Sequence, residues 1–257
     1  MNTISAVIIT FNEEKNIGRT LDALVGWVHE IIILDSGSTD RTKEICLGYA
    51  DKANLKWFEQ KWLGFGQQKN KANTLATGDY ILSLDADEVV SPELQDDILK
   101  NATGELKIGR VNRLTNYCGH WVRHCGWRPD YQWRFFSREK AKWNDLQVHE
   151  HLVFDEKLAT FTLKGDLWHY SYHSVGDHWR LVLPYARLGA QRVAHKSKIA
   201  LALKMVLNPP LRFMKCYFLQ FGFLDGYYGL VICLITAYGV FMKYSLALRT
   251  NGKQRSR

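Results

Sequence analysis

Four apolar, β-branched runs in the first hundred residues constrain the fold more than any other feature of this sequence. They are Ala6–Thr10, Ile31–Leu34, Leu55–Phe58 and Tyr80–Leu84. Each has the length of a buried strand, and segments with helical spacing separate them. Because strands that alternate with helices at short intervals are typical of βαβ units, the sequence predicts an α/β fold with a largely parallel sheet.

The segments between these runs carry the signals of helices. Apolar residues recur there every three or four positions, and polar residues that can cap a helix precede several of the segments. We therefore predict helices over four segments: Glu13–Trp27, Asp40–Tyr49, Gln67–Ala76 and Ser91–Asn101.

The second half of the chain changes character twice. From Leu106 to His173 it has short strand-like runs rich in aromatic residues and histidine, which predicts an antiparallel extension beside the first sheet. After Ser174 the spacing is helical to about Leu248, and Asn208–Pro210 is expected to interrupt it. We therefore divide the chain into residues 1–173, with halves 1–104 and 105–173, and a basic helical region over residues 174–257.

Acidic residues follow three of the predicted strands at their carboxyl ends: Glu13, Asp35, and the pair Asp85 and Asp87. In an open α/β sheet, ligands bind in the crevice outside these strand ends. Carboxylates in that crevice suit Mg²⁺ or Mn²⁺, which favours oxygen ligands together with substrate phosphates. The alternative is that Asp85 and Asp87 only cap the following helix.

Three motifs occur in order along the first hundred residues: AVIITFNEE over residues 6–14, ILDSGSTD over residues 33–40 and GDYILSLDADE over residues 78–88. In order and spacing they resemble family-two glycosyltransferases of the Rossmann-like GT-A fold. Further along, Trp127–Asp130, Arg134–Phe136 and Val148–Glu150 resemble the bacterial branch that adds glucose to heptose I of the lipopolysaccharide inner core. The resemblance covers nearly the whole chain and implies an inverting, metal-dependent transfer of a hexose from UDP-glucose.

The resemblance also implies roles for individual residues. It assigns the nucleotide-sugar pocket to eight positions: Thr10, Asn12, Glu13, Asp35, Lys69, Asn70, Asp85 and Ala86. Asp85 and Asp87 would bind the diphosphate through Mg²⁺ or Mn²⁺. Histidines also cluster in the second half of the chain, and among them we choose His169 as a further metal ligand or a pyrophosphate contact. Lys69 suits a phosphate contact because its ammonium is a compact charge, and a solvated helix face is its alternative. For His169 the alternative is an ordinary hydrogen-bonded histidine.

An inverting transfer needs a general base that removes the proton of the acceptor hydroxyl. Glu150 is the candidate, because it follows a short strand in the half of the domain where related enzymes hold the acceptor. The alternative is that Glu150 forms a structural ion pair with Arg134. Trp127, Asp130 and Arg134 are expected on the acceptor side, where an indole ring can stack on a sugar.

Two pairs of possible zinc ligands stand close together in the second half of the chain: Cys118-x-His120 and His124-Cys125. Their spacing matches none of the usual structural zinc patterns, since the second pair consists of adjacent residues. We therefore favour an acceptor-side loop, with tryptophan side chains available to stack on sugar rings.

Basic residues are concentrated near the end of the sequence. From Arg187 to Arg257 there are twelve Lys or Arg and a single acid, Asp225, whereas the whole chain has a net charge of +8. The positive charges alternate with bulky apolar residues. This combination favours an anionic membrane surface, and not nucleic acid, as the partner.

Two segments of the basic region have the character of membrane-binding elements. Leu211–Leu224 is predicted to be an interfacial helix, and its apolar face holds four residues: Leu211, Met214, Phe218 and Phe221. Gly226–Met242 is a run of 17 uncharged residues, at the lower limit for crossing a bilayer. Monotopic or re-entrant insertion, core packing within a helical subdomain and a true membrane span all stay open for this run.

The five cysteines, an odd number, and the lack of a secretory signal before the first strand indicate a reducing cytoplasm. We therefore expect a peripheral enzyme on the cytoplasmic face of the inner membrane, with a lipid-linked saccharide as acceptor. The alternatives are a polyprenyl-phosphate glycosyltransferase, a metal-dependent nucleotidyltransferase and a catalytically inactive membrane-binding module. A nucleotidyltransferase should carry a glycine-rich, basic phosphate loop, and the turn at Phe11–Lys15 contains no glycine.

Overall fold

The computed structural model describes residues 2–103, 107–144 and 151–254, and the chain divides into two compact units. The first unit comprises Met1–Leu114 and Asp130–Tyr170, and the second comprises Thr115–Pro129 and Ser171–Arg257. Residues 115–129, which the sequence suggested as part of the first 173-residue domain, therefore cluster with the helical region. The reason is that their contacts are made with helices far along the chain, which local periodicity does not reveal.

Eleven strands occur among the described residues: β1 Ile4–Thr10, β2 Glu30–Asp35, β3 Leu55–Glu59, β4 Tyr80–Asp85, β5 Glu88–Val90, β6 Ile108–Tyr117, β7 His120–Trp121, β8 Tyr131–Ser137, β9 Ala141–Trp143, β10 Leu152–Phe154 and β11 Thr160–Tyr172. The main sheet has the order β3-β2-β1-β4-β8-β6-β11-β5, and β7 pairs with β6. The first four strands of this order are parallel, and β8 joins β4 in the antiparallel direction. The predicted α/β fold, with a mainly parallel sheet and an antiparallel extension, is confirmed.

Seven α-helices occur in the same described ranges: α1 Ile17–Asp22, α2 Thr42–Leu47, α3 Phe65–Asn73, α4 Pro92–Asn101, α5 Val175–Val193, α6 Lys198–Met214 and α7 Gly226–Gln254. The hydroxyl of Ser91 caps α4 by accepting the N–H of Leu94, and Pro92 stands in the first turn, where its missing N–H costs nothing. This helix follows its sequence signals closely.

The first helix is shorter than the predicted segment Glu13–Trp27. Residues before Ile17 form a turn instead, because their backbone is hydrogen-bonded outward: the N–H of Glu13 donates to Thr42 Oγ1 and the N–H of Glu14 donates to Asp40. The apolar residues that suggested the helix are nonetheless buried, including Leu24 beyond its end. The spacing of buried apolar residues therefore continues beyond the last residue of the helix, Asp22.

The central strand β1 is buried along its whole length, because helices cover both faces of the sheet. Ala6 and Ile8 contribute to one apolar cluster, and Val7 and Ile9 contribute to the cluster on the opposite face. The two-residue alternation of a strand places successive side chains in different cores. This double burial fixes the register that aligns the strand ends.

The second unit departs from two predictions. Pro209 and Pro210 lie inside α6 and do not interrupt it, although proline removes a helical hydrogen bond. Packing of α6 against α7, with Asn208 Nδ2 donating to the Tyr244 hydroxyl at 2.9 Å, outweighs that local cost. The predicted helix Leu211–Leu224 is instead broken into the end of α6, a π-helical turn, a residue of positive φ at Phe221 and a short 3₁₀ turn.

One helical segment of the described chain, Gly222–Arg249, is long and apolar enough to cross a membrane by length and composition. Its mean hydropathy is 1.7, and about a third of its most apolar window, 33%, is buried inside the protein. The four residues expected on an apolar interfacial face are all exposed.

Candidate active site

The parallel pairing brings the predicted acidic residues to one edge of the sheet. Thr10 lies opposite Asp35 in the β1–β2 ladder, and Ile9 lies opposite Asp85 in the β1–β4 ladder. The last residues of three neighbouring strands therefore stand side by side. Ligands bind in the crevice outside such carboxyl ends.

The Asp35 side chain organises the turn that follows β2. Its Oδ2 atom accepts the backbone N–H groups of Gly37 and Ser38, each at 2.8 Å, and Oδ1 accepts the Ser38 hydroxyl. Gly37 has a φ of +96°, which an L side chain rarely adopts. Asp35 is therefore buried and held in place, with its carboxylate committed to the turn.

A second turn, after β1, is fastened to the first. Asn12 has a φ of +55°, and its Oδ1 atom accepts the N–H of Thr39 at 2.8 Å, while its own N–H donates to the Ser38 hydroxyl at 2.8 Å. In the described residues, the buried Thr10 hydroxyl at the base of this turn has no hydrogen-bond partner. The crevice thus has rigid walls and an unused polar atom at its floor.

Glu13 follows this turn in an environment that disfavours its charge. Burial raises the pKa of its carboxyl to about 7, against a hydrogen bond from Asn16 that lowers it. The negative charges of Asp87, Asp40 and Asp85 raise it further. This end of the crevice is therefore short of positive charge.

Asp85, in contrast, is neutralised by two buried cations. Lys69 Nζ lies 3.1 Å from its Oδ1 atom, and Arg134 Nη2 lies 2.6 Å from its Oδ2 atom. Burial alone would raise the pKa of Asp85, but the charges of Arg134 and Lys69 hold it well below its ordinary range. Both cationic side chains are only 3% exposed. The solvated helix face considered for Lys69 does not agree with this burial, and the acceptor-side position of Arg134 stays a prediction.

Glu88 extends these contacts into a chain of alternating charges. Its Oε1 atom lies 2.6 Å from Arg134 and 3.3 Å from Arg113, and its Oε2 atom accepts the N–H of Asp85. Arg113 in turn donates to Asp130 at 2.8 Å. Sequence analysis predicts no role for Glu88 or Arg113. Glu88 lies 25 residues from Arg113 and 46 residues from Arg134, so only a complete fold brings these charges together.

Asp87 and His169 are brought together as the sequence suggested. His169 Nε2 lies 3.2 Å from Asp87 Oδ2, because antiparallel pairing of β11 with β5 sets His169 opposite Glu88. The N–H of Tyr170 donates to the carbonyl of Asp87, and the hydroxyl of Thr20 donates to the carbonyl of Ala86. The loop that carries Asp87 is therefore held from both sides.

The other predicted residues fall into different surroundings. Both ends of the Asn70 amide bond the backbone of Trp143, each at 2.8 Å, which gives Asn70 a structural role in the free protein. Trp127 belongs to the second unit, where its ring packs edge-on against Tyr117 and at a tilt against Tyr172. Glu150 lies outside the described residues.

The described residues fit a divalent cation at Asp87. A carboxylate oxygen and an imidazole nitrogen stand within hydrogen-bond distance there, and both are ligands for Mn²⁺, while Mg²⁺ accepts the oxygen. Burial is the main cause of the raised pKa of Glu13, and the negative charges of Asp87, Asp40 and Asp85, which a cation would offset, add to it. The oxygens of Asp85 are already engaged by Lys69 and Arg134.

Comparison with known sequences gives matches over most of the chain. The model of a family described as glycosyl transferase family 2 matches residues 5–151. The lipopolysaccharide core biosynthesis glycosyltransferase LpsC of Rhizobium meliloti is 27% identical over 96% of this chain and 95% of its own length. An uncharacterized glycosyltransferase of Rickettsia typhi is 26% identical over 100% of this chain and 90% of its own.

A solved structure shares the fold. Residues 1–349 of S. aureus TarS in complex with UDP align with a TM-score of 0.50, covering 99% of this chain and 91% of that chain at 16% sequence identity. Such a likeness shows the fold alone. It confirms the GT-A type of α/β fold that the three sequence motifs predicted.

Glu13→Gln is expected to stabilise the protein above pH 7 when no divalent cation is present. The unfolded chain releases the Glu13 proton near the ordinary value of 4.5, whereas the folded protein keeps it to about 7. Stability therefore falls as pH rises between these values, and the loss persists above them. Since glutamine does not titrate, the variant avoids a loss of about 3.4 kcal/mol across this interval, and solvent screening of the partly exposed carboxylate lowers the expected gain to about 2 kcal/mol.

The measurement is the free energy of unfolding by denaturant, at a pH below 4.5 and again above 7, with a chelator present. Glu93→Gln, an exposed acid in the first turn of α4, is the control. If the free energy of unfolding has the same pH dependence in the Glu13→Gln variant and in the unsubstituted protein, the raised pKa of Glu13 is contradicted.

Proposed function

We propose that this chain, which belongs to glycosyl transferase family 2, transfers a hexose from UDP-glucose to a heptose hydroxyl of the lipopolysaccharide inner core. The family makes it a glycosyltransferase; the donor, acceptor and metal are the proposal. The observation that carries it is the convergence of Thr10, Asp35 and Asp85 on one strand-end crevice. The full-length similarity to a lipopolysaccharide core glycosyltransferase supports the choice of acceptor.

The two turns that follow β1 and β2, which are hydrogen-bonded to each other, are proposed to bind the nucleotide-sugar donor. A rigid turn around Asp35 and Asn12 provides a preformed wall for a base and ribose, and the unpartnered Thr10 hydroxyl offers a hydrogen bond to the ligand. TarS, which shares the fold, was solved with UDP. We assign Thr10, Asn12, Glu13 and Asp35 to nucleotide binding on this basis.

Asp85 and Asp87 are proposed to have different roles at the metal site. Asp87 and His169 would hold Mg²⁺ or Mn²⁺, which when bound neutralises the charge that develops on the leaving diphosphate. Asp85, fixed by Lys69 and Arg134, would position the loop and the sugar-phosphate. Lys69 and Arg134 are thus proposed as positioning residues. Ala86, buried between the two acids, gives the loop its close packing.

The acceptor half assigns Glu150 as the general base. Its carboxylate would take the proton of the attacking hydroxyl, while the hydroxyl oxygen displaces the diphosphate from the opposite face of the sugar. Asp130 stays an acceptor-side candidate, although Arg113 and Gln132 already bond its carboxylate. Trp127 is proposed as a stacking surface for a sugar ring.

The second unit is proposed as the membrane-binding part. Its helices expose a large apolar surface, and basic side chains such as Lys204 and Arg212 alternate with it. A groove of about 450 Å³ lined by Pro209, Phe213 and Leu234 adds to this surface. Exposed apolar area of this extent marks a site for lipid or protein, and the positive charge favours an anionic lipid leaflet.

Asp87→Asn is expected to lower sugar transfer by at least about 100-fold, because the amide is a poor ligand for a divalent cation. Transfer is measured by mass spectrometry, with UDP-glucose, Mg²⁺ or Mn²⁺ and heptose-containing lipid. Asp79→Asn, at the opposite end of β4, is the matched control and should retain activity. Full activity of Asp87→Asn would remove the metal role of this residue, and transfer only to polyprenyl phosphate would replace the proposed acceptor.

Glu150→Gln is expected to lower kcat by a factor of about 100 to 10,000 and to leave the KM for the donor unchanged. The amide keeps the shape of the side chain but cannot take a proton. Steady-state kinetics at saturating acceptor provide the measurement, and Glu156→Gln on the neighbouring turn is the control. An unchanged kcat would eliminate Glu150 as the base.

The double variant Leu207→Asp, Leu211→Asp is expected to weaken binding to anionic vesicles by about tenfold or more. These side chains are 55% and 64% exposed on one face of α6, and each contributes roughly 1.5–3 kcal/mol if lipid covers it. Vesicle sedimentation measures the change. Leu63→Asp, 41% exposed in the first unit, is the control, and equal binding of all three proteins would contradict the membrane role of α6.

A further inference from the structure

Three buried cysteines of the second unit converge on one point. The Sγ atoms of Cys125, Cys216 and Cys233 all lie within 4.8 Å of one another. Each side chain is at most 1% exposed, and all three are free thiols. Cys216 and Cys233 stand 91 and 108 residues from Cys125, so only the folded chain assembles the group.

The spacing of the sulfur atoms is that of ligands to a common ion. In a tetrahedral site with zinc–sulfur bonds of about 2.3 Å, two sulfur ligands are separated by roughly 3.8 Å. The Sγ atoms of Cys125 and Cys233 are 3.8 Å apart. A disulfide would require about 2.05 Å. The arrangement therefore matches shared coordination and not a covalent bond.

The backbone is irregular in two of the three segments that supply a thiol, and Cys233 lies in the regular helix α7. Cys125 has a φ of +60°, which costs energy for a residue with a Cβ atom, and Cys216 lies in the π-helical turn Lys215–Leu219. Gly222 passes so close that a Cβ atom there would lie 2.9 Å from Cys233 Sγ and 3.1 Å from Cys125 Sγ. Such local strain persists only where the surrounding structure requires it.

A buried carboxylate stands beside the thiols. Asp225 Oδ2 lies 3.8 Å from Cys125 Sγ, and the residue Asp225 is only 4% exposed. The same carboxylate accepts the N–H groups of Arg123 and His124 and lies 3.1 Å from His124 Nδ1. These bonds to residues 123 and 124 hold the carboxylate beside Cys125.

The ordinary explanation is that the cysteines are small apolar residues in a core. They do belong to an apolar cluster with Tyr117, Val122 and Ile232, and free cysteine is among the most buried residue types. Core packing alone does not require three sulfur atoms to face one another, nor a positive φ at Cys125. Convergence together with backbone strain favours a ligand.

We propose that Cys125, Cys216 and Cys233 bind one Zn²⁺ ion as thiolates. Thiolates select zinc over the harder Mg²⁺ of the candidate active site. Each thiol gives its proton to solvent when its sulfur binds, so three protons leave as one Zn²⁺ enters. The ion joins residues 115–129 to the segments before and within α7, and its role is structural.

This site differs from the zinc pattern that the sequence suggested. Cys118 and His120 are not part of it, and Cys125 is the member that the two patterns share. Local spacing missed the site because its ligands come from three distant segments, whereas structural zinc sites are recognised in sequences by short repeated spacings.

The test uses the full chain purified with a thiol reductant and without added metal or chelator. The zinc content per protein chain is measured by elemental mass spectrometry. Metal is then removed with a chelator, and the binding of added Co²⁺ is followed by the sulfur-to-cobalt charge-transfer absorption. The variants are Cys216→Ser and Cys233→Ser. Cys46→Ser, a buried thiol of the first unit, and Cys118→Ser, outside the cluster, are the matched controls.

We expect one zinc per chain in the unsubstituted protein and in both controls, with loss of zinc and of the cobalt band in Cys216→Ser and Cys233→Ser. If these variants do not fold, alkylation of the unsubstituted protein decides the matter: zinc should protect three thiols, and chelation should expose them. Folded protein that holds no zinc and gives no thiolate–cobalt band would overturn the proposal. A Cys125–Cys233 disulfide in reduced preparations, or full zinc content in both cluster variants, would do the same.

Discussion

The buried ion pairs around Asp85 are the interaction on which the rest of the candidate site depends. A carboxylate at the end of a buried strand carries a large desolvation cost, and it is stable here because Lys69 and Arg134 reach it from two different elements. Arg134 is itself buried and needs Glu88, which in turn engages Arg113. Removal of any one member would take an ion pair from at least one neighbouring charge, so the chain of charges behaves as a unit.

The two aspartates of the Asp85-Ala86-Asp87 motif have opposite electrostatic surroundings, although one residue separates them. Asp85 faces two cations, and its pKa is lowered. Asp87 faces His169 and helps to raise the pKa of Glu13 to about 7. Two carboxyl groups in one crevice whose pKa values shift in opposite directions, here Asp85 and Glu13, are typical of functional sites. Asp85 is thus compensated by two cations and holds the loop, whereas no lysine or arginine is paired with Glu13 or Asp87 among the described residues. A divalent cation would bind beside the latter two.

The sequence predicted the features that local patterns determine. Strand positions followed from apolar β-branched runs, and the acids at their ends followed from counting along the chain, so the crevice could be located before any coordinates. The partners of Asp85 could not be located, since Arg134 is 49 residues away and pairs through an antiparallel strand. Helix α6 was misjudged at Pro209 for a related reason: tertiary packing against α7 outweighs a local preference. Long-range contacts decide both cases.

The second unit exposes much of the apolar surface of its helices, which limits the size of its own core. Its helices expose apolar side chains such as Leu207 and Leu211, so less of its apolar surface is available to stabilise its own core. Small units with little core gain stability from cross-links or structural metals. Two members of the cysteine cluster flank the break in the helical path, since Cys216 lies in the π-helical turn and Cys233 lies in α7 beyond the 3₁₀ turn. A thiolate-bound ion at this point would hold the irregular segment together while leaving the apolar helix faces free for lipid.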